Sequence, residues 1–349
     1  MNPIKCMLLA AAMLCAASLS AQPRGAQPGT VVENPDAHDP VAALCDGRYY
    51  VFTTGLNVMS STDLKTWRFE TRPFTEIPDW AAAKGFRGMP WAPDIQYHDG
   101  LWYLYYSYSH FGKNISAIGV ATNKTLNPAS PDYKWEDHGM IVESIPGRDE
   151  WNAIDANMII DEEGTGWLCF GSFWRGIKMF KLDETLTKMA EPQEWYPLCR
   201  RPEGTAKDIA GKDDGLQPDP RGTDFDAGNG AVEAPFLFRH GGWYYLFVSY
   251  DLCCRGKNST YNVVVGRSEK VTGPYIDRDG VPLMQGGGTV VAKGDERYAG
   301  MGHCAVVNLD GKDRMFLHGY DGQADYRSKL LIYDIAWSAD GWPSLTRNR

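Results

Sequence analysis

The amino-acid sequence predicts an all-β fold, a five-bladed β-propeller with its functional site at one end of the central channel. Three observations carry that expectation. An aromatic strand recurs five times, each copy entered through a Gly or Asp turn; a strand opening on a polar or aromatic side chain precedes each copy; and a further pair of short strands follows it. Four short strands at a period of about 65 residues form the pattern of propeller blades.

The aromatic strands are Tyr49-Tyr50-Val51-Phe52, Leu101-Trp102-Tyr103-Leu104-Tyr105-Tyr106, Gly166-Trp167-Leu168-Cys169-Phe170, Gly242-Trp243-Tyr244-Tyr245-Leu246-Phe247 and Arg314-Met315-Phe316-Leu317-His318. Aromatic and β-branched side chains suit a pleated, packed surface, and the turn before each run makes it the outgoing half of a hairpin. The incoming halves open at His38-Asp39-Pro40-Val41, Trp91-Ala92-Pro93-Asp94-Ile95, Ile154-Asp155-Ala156-Asn157-Met158, Val232-Glu233-Ala234-Pro235-Phe236 and Gly302-His303-Cys304-Ala305. Third strands are expected at 57–61, 118–122, 176–180, 262–266 and 329–333, each followed by a fourth. Five such blades occupy residues 22–349 as a single domain. Residues 200–230, rich in Gly, Pro, Asp and Lys, read as an inserted loop on the rim of the pocket.

Residues 1–21 stand apart. Lys5 precedes an apolar run over 6–19, and Ser18-Leu19-Ser20-Ala21 supplies small residues before Gln22, the pattern of a cleaved export signal. That run is shorter than the roughly 20 apolar residues that span a bilayer, and no later stretch reaches that length. An exported protein, periplasmic or extracellular and without a membrane span, is expected.

Composition narrows the partners. With 43% hydrophobic and 12% aromatic residues the chain is neither disordered nor a coiled coil. Its formal charge of −9 disfavours nucleic acid and other polyanions and fits a neutral partner. Outside the signal, Cys45, Cys169, Cys199, Cys253, Cys254 and Cys304 show no C-x-x-C spacing, so buried thiols with room for one disulfide are expected. Gly286-Gly287-Gly288 lacks the Lys of a phosphate loop, and there is no G-x-S-x-G nucleophile elbow. Asn114, Asn123 and Asn258 open N-x-S/T sequons.

The first strand of a propeller blade lines the central channel, so Asp39, Trp91, Asp155, Glu233 and His303 are expected to meet at one end of the axis. Three carboxyls confined together repel one another, an arrangement that costs stability unless it is used. Two carboxyls flanking a glycosidic bond suffice to hydrolyse it, one as acid on the leaving oxygen and one as base or nucleophile. A third keeps the acid protonated near neutral pH, because a nearby negative charge raises a carboxyl pKa. Trp and Phe add flat apolar faces for sugar rings.

At these residues the chain resembles the arabinanases of glycoside hydrolase family 43, five-bladed propellers that cleave α-1,5-linked L-arabinan with inversion. The resemblance rests on His38-Asp39-Pro40, Ser61-Thr62-Asp63-Leu64-Lys65-Thr66-Trp67, Trp91-Ala92-Pro93-Asp94-Ile95, Tyr105-Tyr106-Ser107-Tyr108-Ser109-His110-Phe111-Gly112, Ser116-Ala117-Ile118-Gly119-Val120-Ala121-Thr122, Asn152-Ala153-Ile154-Asp155, Phe170-Gly171-Ser172-Phe173-Trp174, Glu233-Ala234-Pro235-Phe236 and the vicinal Cys253-Cys254, in the family's order. It implies that Asp39 is the general base, Glu233 the general acid and Asp155 the residue that raises the acid's pKa and orients it. It also implies sugar contacts from Trp91, Phe111, Gly112, Asn152, Ser172, Phe173 and Trp174, and a hydrated calcium ion in the channel bound by His303. Arg175, Asn157 and the long 200–230 insertion depart from the family pattern close to the groove. An inverting enzyme holds its two carboxyls about 6.5–9.5 Å apart, leaving room for water, where a retaining one holds them about 5–5.5 Å apart. The expected protein is a secreted, monomeric, endo-acting arabinan hydrolase. An exo-acting arabinanase, an arabinofuranosidase or a β-xylosidase on the same fold, and a non-catalytic glycan-binding propeller, are the alternatives.

Overall fold

The computed structural model describes residues 26–201 and 230–347. The expected export signal and the body of the 200–230 insertion lie outside the described residues. Five antiparallel sheets follow one another along the chain. Blade one holds β1 (Val31–Val32), β2 (Val41–Cys45), β3 (Arg48–Thr53), β4 (Asn57–Ser61) and β5 (Trp67–Phe69), ordered β1-β5-β4-β3-β2. Blade two holds β6 (Trp91–His98), β7 (Leu101–Ser109), β8 (Ser116–Asn123) and β9 (Glu136–Ser144); blade three holds β10 (Asn157–Ile160), β11 (Gly166–Phe170), β12 (Ile177–Lys181) and β13 (Trp195–Cys199). Blade four holds β14 (Val232–His240), β15 (Trp243–Tyr250), β16 (Asn262–Ser268) and β17 (Thr289–Lys293), and blade five holds β18 (Tyr298–Leu309), β19 (Lys312–Asp321), β20 (Arg327–Trp337) and β21 (Pro343–Arg347).

The expected propeller is therefore present, and its aromatic strands are the second strands of the blades. These strands are buried on both faces: Leu104, Tyr105 and Tyr106, Leu168 and Phe170, and Leu246 and Phe247 are all fully buried. A strand packed between two neighbouring blades has no solvent face, which is why its sequence runs apolar without alternation. The extra strand β1 was not part of the expected four-strand repeat. Val31 and Val32 pair with Arg68 and Trp67, so the approaching chain covers an otherwise open sheet edge. The same approach closes the ring: Asp36 pairs with Lys329 (2.5 Å) and Arg327 (2.6 Å) of blade five.

Asn114 and Asn123 are buried, and Asn114 donates to the carbonyls of Asp149 (3.1 Å) and Trp151 (3.2 Å). Two of the three sequons thus serve the core, and Asn258 alone of them is exposed.

A buried carboxyl joins blades two and three. Asp94 of β6 accepts from the Met158 amide of β10 (2.7 Å) and from Gln96 Nε2 (3.1 Å). Burial pushes its carboxyl from an ordinary 3.8 up to about 6. Between those values the folded protein keeps a proton that the unfolded chain has lost. This group's contribution to stability is therefore present below pH 4 and falls as pH rises through about 6, by about 3 kcal/mol in total. Asp94→Asn is expected to remove that fall. In urea unfolding at pH 4.5 and 7.5, the variant should lose about 2 kcal/mol less than the wild type between the two; equal losses would show that Asp94 titrates like an exposed carboxyl.

Candidate active site

The inner strands begin or break irregularly at the same end. Asp39, Asp155, Ala234 and His303 take left-handed backbone conformations with φ of 54°, 59°, 54° and 49°. Registers shift between Trp91 and Asp94, between Glu233 and Phe236, and between Gly302 and Ala305. A non-glycine residue held there costs about 1–3 kcal/mol, and such strain persists where surrounding structure and function demand it. Four blades carry it at equivalent places, which marks this end of the axis as the site.

Asp39 is buried and surrounded by donors. Its Oδ1 lies 2.9 Å from His303 Nδ1 and its Oδ2 lies 2.8 Å from His38 Nδ1, with Thr54 Oγ1 also donating to Oδ2. Burial alone would raise its pKa, but the imidazoles of His303 and His38 outweigh it and hold the carboxyl well below the usual range. Asp39 is thus an ionised, acceptor-only group at neutral pH. Burial would lower the His303 pKa, yet Asp39, Asp155 and Glu233 hold it up at about 9.

Glu233 sits between two hydroxyls. Ser172 Oγ donates to Oε2 (2.7 Å) and Tyr261 Oη donates to Oε1 (2.7 Å). Ser172 arrives on the loop after β11, which bridges to the start of β14 through Ser172 and Glu233 themselves. Asp155 Oδ2 accepts the Ala234 amide at 3.2 Å. Burial pushes the Asp155 carboxyl well above its usual range, and the negative charges of Glu233 and Asp39 add to this against the opposing His303. The site therefore retains a proton at pH values where exposed carboxyls have lost theirs.

Four of the five expected channel residues thus act on one another. The fifth, Trp91, is on the rim with Phe111, whose ring lies 6.4 Å away and which is 70% exposed. Gly112 follows with φ of 72°. Asn152 is buried and accepts from Ser116 Oγ at 2.5 Å. Ser172, expected as a sugar contact, gives its hydroxyl to Glu233. Phe173 packs on Ala231 and Leu252, and Trp174 continues the left-handed turn with φ of 44°.

A different cavity, of about 480 Å³, is lined by Trp243, Arg267, Arg278 and Trp342. Trp243 pairs with His240 at the end of β14 remote from Glu233, so this cavity lies on the opposite face. Arg267 already stacks on Trp243 (4.5 Å) and Trp342 (4.6 Å), and Arg278 pairs with Asp340 (2.9 Å). The carboxylates, and not this cavity, mark the chemistry.

The sequence model of the Glycosyl hydrolases family 43 matches residues 29–343. The chain belongs to that family. It is 48% identical over 314 residues to an extracellular exo-α-(1→5)-L-arabinofuranosidase of Cellvibrio japonicus, covering 89% of this chain and 86% of the relative. It is 37% identical over 315 residues to an extracellular endo-α-(1→5)-L-arabinanase of Bacillus subtilis, covering 88% and 87%. Among solved structures, a Cellvibrio cellulosa α-L-arabinanase complexed with arabinohexaose superposes with a TM-score of 0.81 at 46% identity, covering 90% of this chain and 96% of the other.

Several residues that complete the site of this family 43 glycosyl hydrolase were not singled out from sequence. His318 is fully buried on β19 and its Nδ1 accepts the Asp39 amide at 3.1 Å. Burial, followed by the neighbouring His38, pushes its pKa well down, so it stays neutral with its proton on Nε2. His38 stacks on it with ring centroids 4.1 Å apart. Tyr261 and Tyr320 are likewise buried beside the carboxylates.

The donors offer a calcium ion little. His303 Nδ1 faces Asp39, and the two three-residue groups of possible ligands among the described residues, His38 with Cys253 and Cys254 and His38 with Asp39 and His318, leave His303 out. Calcium prefers six to eight oxygen ligands. What remains is His303 Nε2, which can meet an ion, or a water on it, only when the ring has given up the proton that its raised pKa keeps there.

Proposed function

We propose that this family 43 protein hydrolyses α-1,5-L-arabinofuranosidic bonds in arabinan with inversion. The observation that carries the reading is the contrast between two buried carboxyls. Asp39 is held ionised by imidazoles, while Asp155 and Glu233 repel when both are charged, so that the pair keeps a proton. Asp39 then takes a proton from the attacking water as the oxygen bonds to the anomeric carbon. Glu233 gives the departing oxygen the proton that it and Asp155 hold between them, since the two repel when both are ionised. Per turnover Glu233 loses one proton to the leaving oxygen and Asp39 gains one from the water, and exchange with solvent restores both. Trp91 and Phe111 supply the apolar face for the sugar. The substrates named for the relatives in Cellvibrio and Bacillus support arabinan, and their extracellular character supports export.

Endo action is the reading that follows from the sequence. The higher identity to the exo-acting relative, 48% against 37%, favours release from chain ends as a second reading. A time course on linear, debranched arabinan separates them. Mixed oligosaccharides in the first minutes indicate endo action, and a single short product indicates exo action. No new reducing ends would leave only a glycan-binding propeller, and proton NMR of the first product, α where β is expected, would reject inversion.

Calcium at His303 belongs to the same proposal; bound there, it would supply positive charge near the carboxylates. Metal analysis of purified protein should find about one calcium per chain. Chelation should lower the melting temperature, and His303→Gln should abolish both signals. Retention of calcium by that variant would place the ion elsewhere.

A further inference from the structure

The loop between β15 and β16 carries Cys253 and Cys254 joined as a vicinal disulfide, while Cys45, Cys169, Cys199 and Cys304 are buried free thiols. Cys254 is exposed, so the disulfide is open to solvent. It is also joined to Asp39. The Cys254 amide donates to Tyr320 Oη at 2.7 Å, and that oxygen lies 3.2 Å from His38 Nε2. The other nitrogen of the same ring, Nδ1, lies 2.8 Å from Asp39 Oδ2. Cys254 Sγ itself approaches His38 Nε2 at 3.6 Å.

An ionised carboxylate only accepts, so His38 Nδ1 gives its proton to Asp39. On the far side of the ring Nε2 meets the Tyr320 hydroxyl, whose oxygen accepts from the Cys254 amide. Closing a ring through two adjacent cysteines restricts how the Cys254 amide can turn. Cys254 has φ of 66°, a left-handed conformation that an L residue leaves readily when nothing holds it.

We propose that the Cys253–Cys254 disulfide is a positioning device for the catalytic base, fixing the aim of Asp39 through Tyr320 and His38. This rests on the reading of Asp39 as base. A dithiol reductant supplies two electrons and two protons, converting the disulfide to two thiols as the reductant closes to its own cyclic disulfide. The Cys254 amide is then released, the Tyr320 oxygen loses that donor, and Tyr320, and His38 beyond it, are held less firmly. Trp91 and Phe111 have no part in the relay, so sugar binding is left intact.

The experiment compares wild type, wild type treated with dithiothreitol, and Tyr320→Phe on linear arabinan. Reduction, verified by thiol titration, is expected to lower kcat about tenfold with KM within about twofold, because a misplaced catalytic group costs rate and not ground-state binding. Reoxidation should restore kcat. Tyr320→Phe should show a similar loss while folding normally, and reductant should add nothing to it, since the link is already cut. Cys253→Ser with Cys254→Ser should match the reduced protein. Unchanged kcat on reduction, a rise in KM alone, or an equal effect of reductant on Tyr320→Phe would each overturn the proposal. An oxidised wild type that releases no sugar would instead remove the reading of Asp39 on which it rests.

Discussion

Glu233→Ala is expected to lower kcat on arabinan by about four orders of magnitude, yet to spare aryl arabinofuranosides whose leaving groups need no proton. The acid's task is to protonate the departing oxygen. An alkoxide leaves poorly without that proton, whereas a dinitrophenolate is stable in water. The comparison therefore isolates the role: the loss on 2,4-dinitrophenyl α-L-arabinofuranoside should be smaller by at least about a hundredfold. Asp39→Ala provides the counterpart. Water activation is required whatever leaves, so its loss should be severe on both substrates. Circular dichroism of each variant guards against unfolding, since removing either carboxyl leaves buried donors unpaired, Ser172 and Tyr261 in one case and His38 and His303 in the other. Equal losses on the two substrates for Glu233→Ala would assign the acid elsewhere.

Those two carboxyls could be named from sequence because the architecture repeats. Blade packing buries the second strand on both faces, which writes an unbroken aromatic run into the chain five times. The residue opening the strand before each run then falls at the axis by symmetry, and so Asp39, Asp155, Glu233 and His303 come together. Their supports follow no such rule. His318 reaches Asp39 across 279 positions, and it lies within an aromatic run whose apolar neighbours give it the look of a core residue. Tyr261 stands in a loop before β16 and acts on Glu233 from 28 positions away. Its partner lies on the first strand of the same blade, and that meeting of a loop with β14 is a property of no single stretch. Strand β1 was missed for a simpler reason: two residues cannot display a period.

The same packing makes Gly302 a point where fold and chemistry fail together. A Cβ at Gly302 would lie 2.1 Å from Tyr261 Cδ1, 2.4 Å from Cε1 and 2.6 Å from Cγ. The Tyr261 ring is buried, its carbonyl accepts the Met301 amide at 3.0 Å and its hydroxyl is bound to Glu233 at 2.7 Å. The ring can yield to the methyl only by drawing its hydroxyl away from the acid. Gly302→Ala should therefore cost about 3 kcal/mol of stability in urea unfolding and lower kcat at least about tenfold, because overpacking is relieved at the expense of the site. Tyr261→Ala opens the space that the methyl needs. In that background Gly302→Ala should cost less than about 1 kcal/mol and no further activity, so the two changes combine far from additively. Additive costs, or a Gly302→Ala protein with wild-type stability and turnover, would mean that the ring moves freely and that Tyr261 does not hold Glu233 in place.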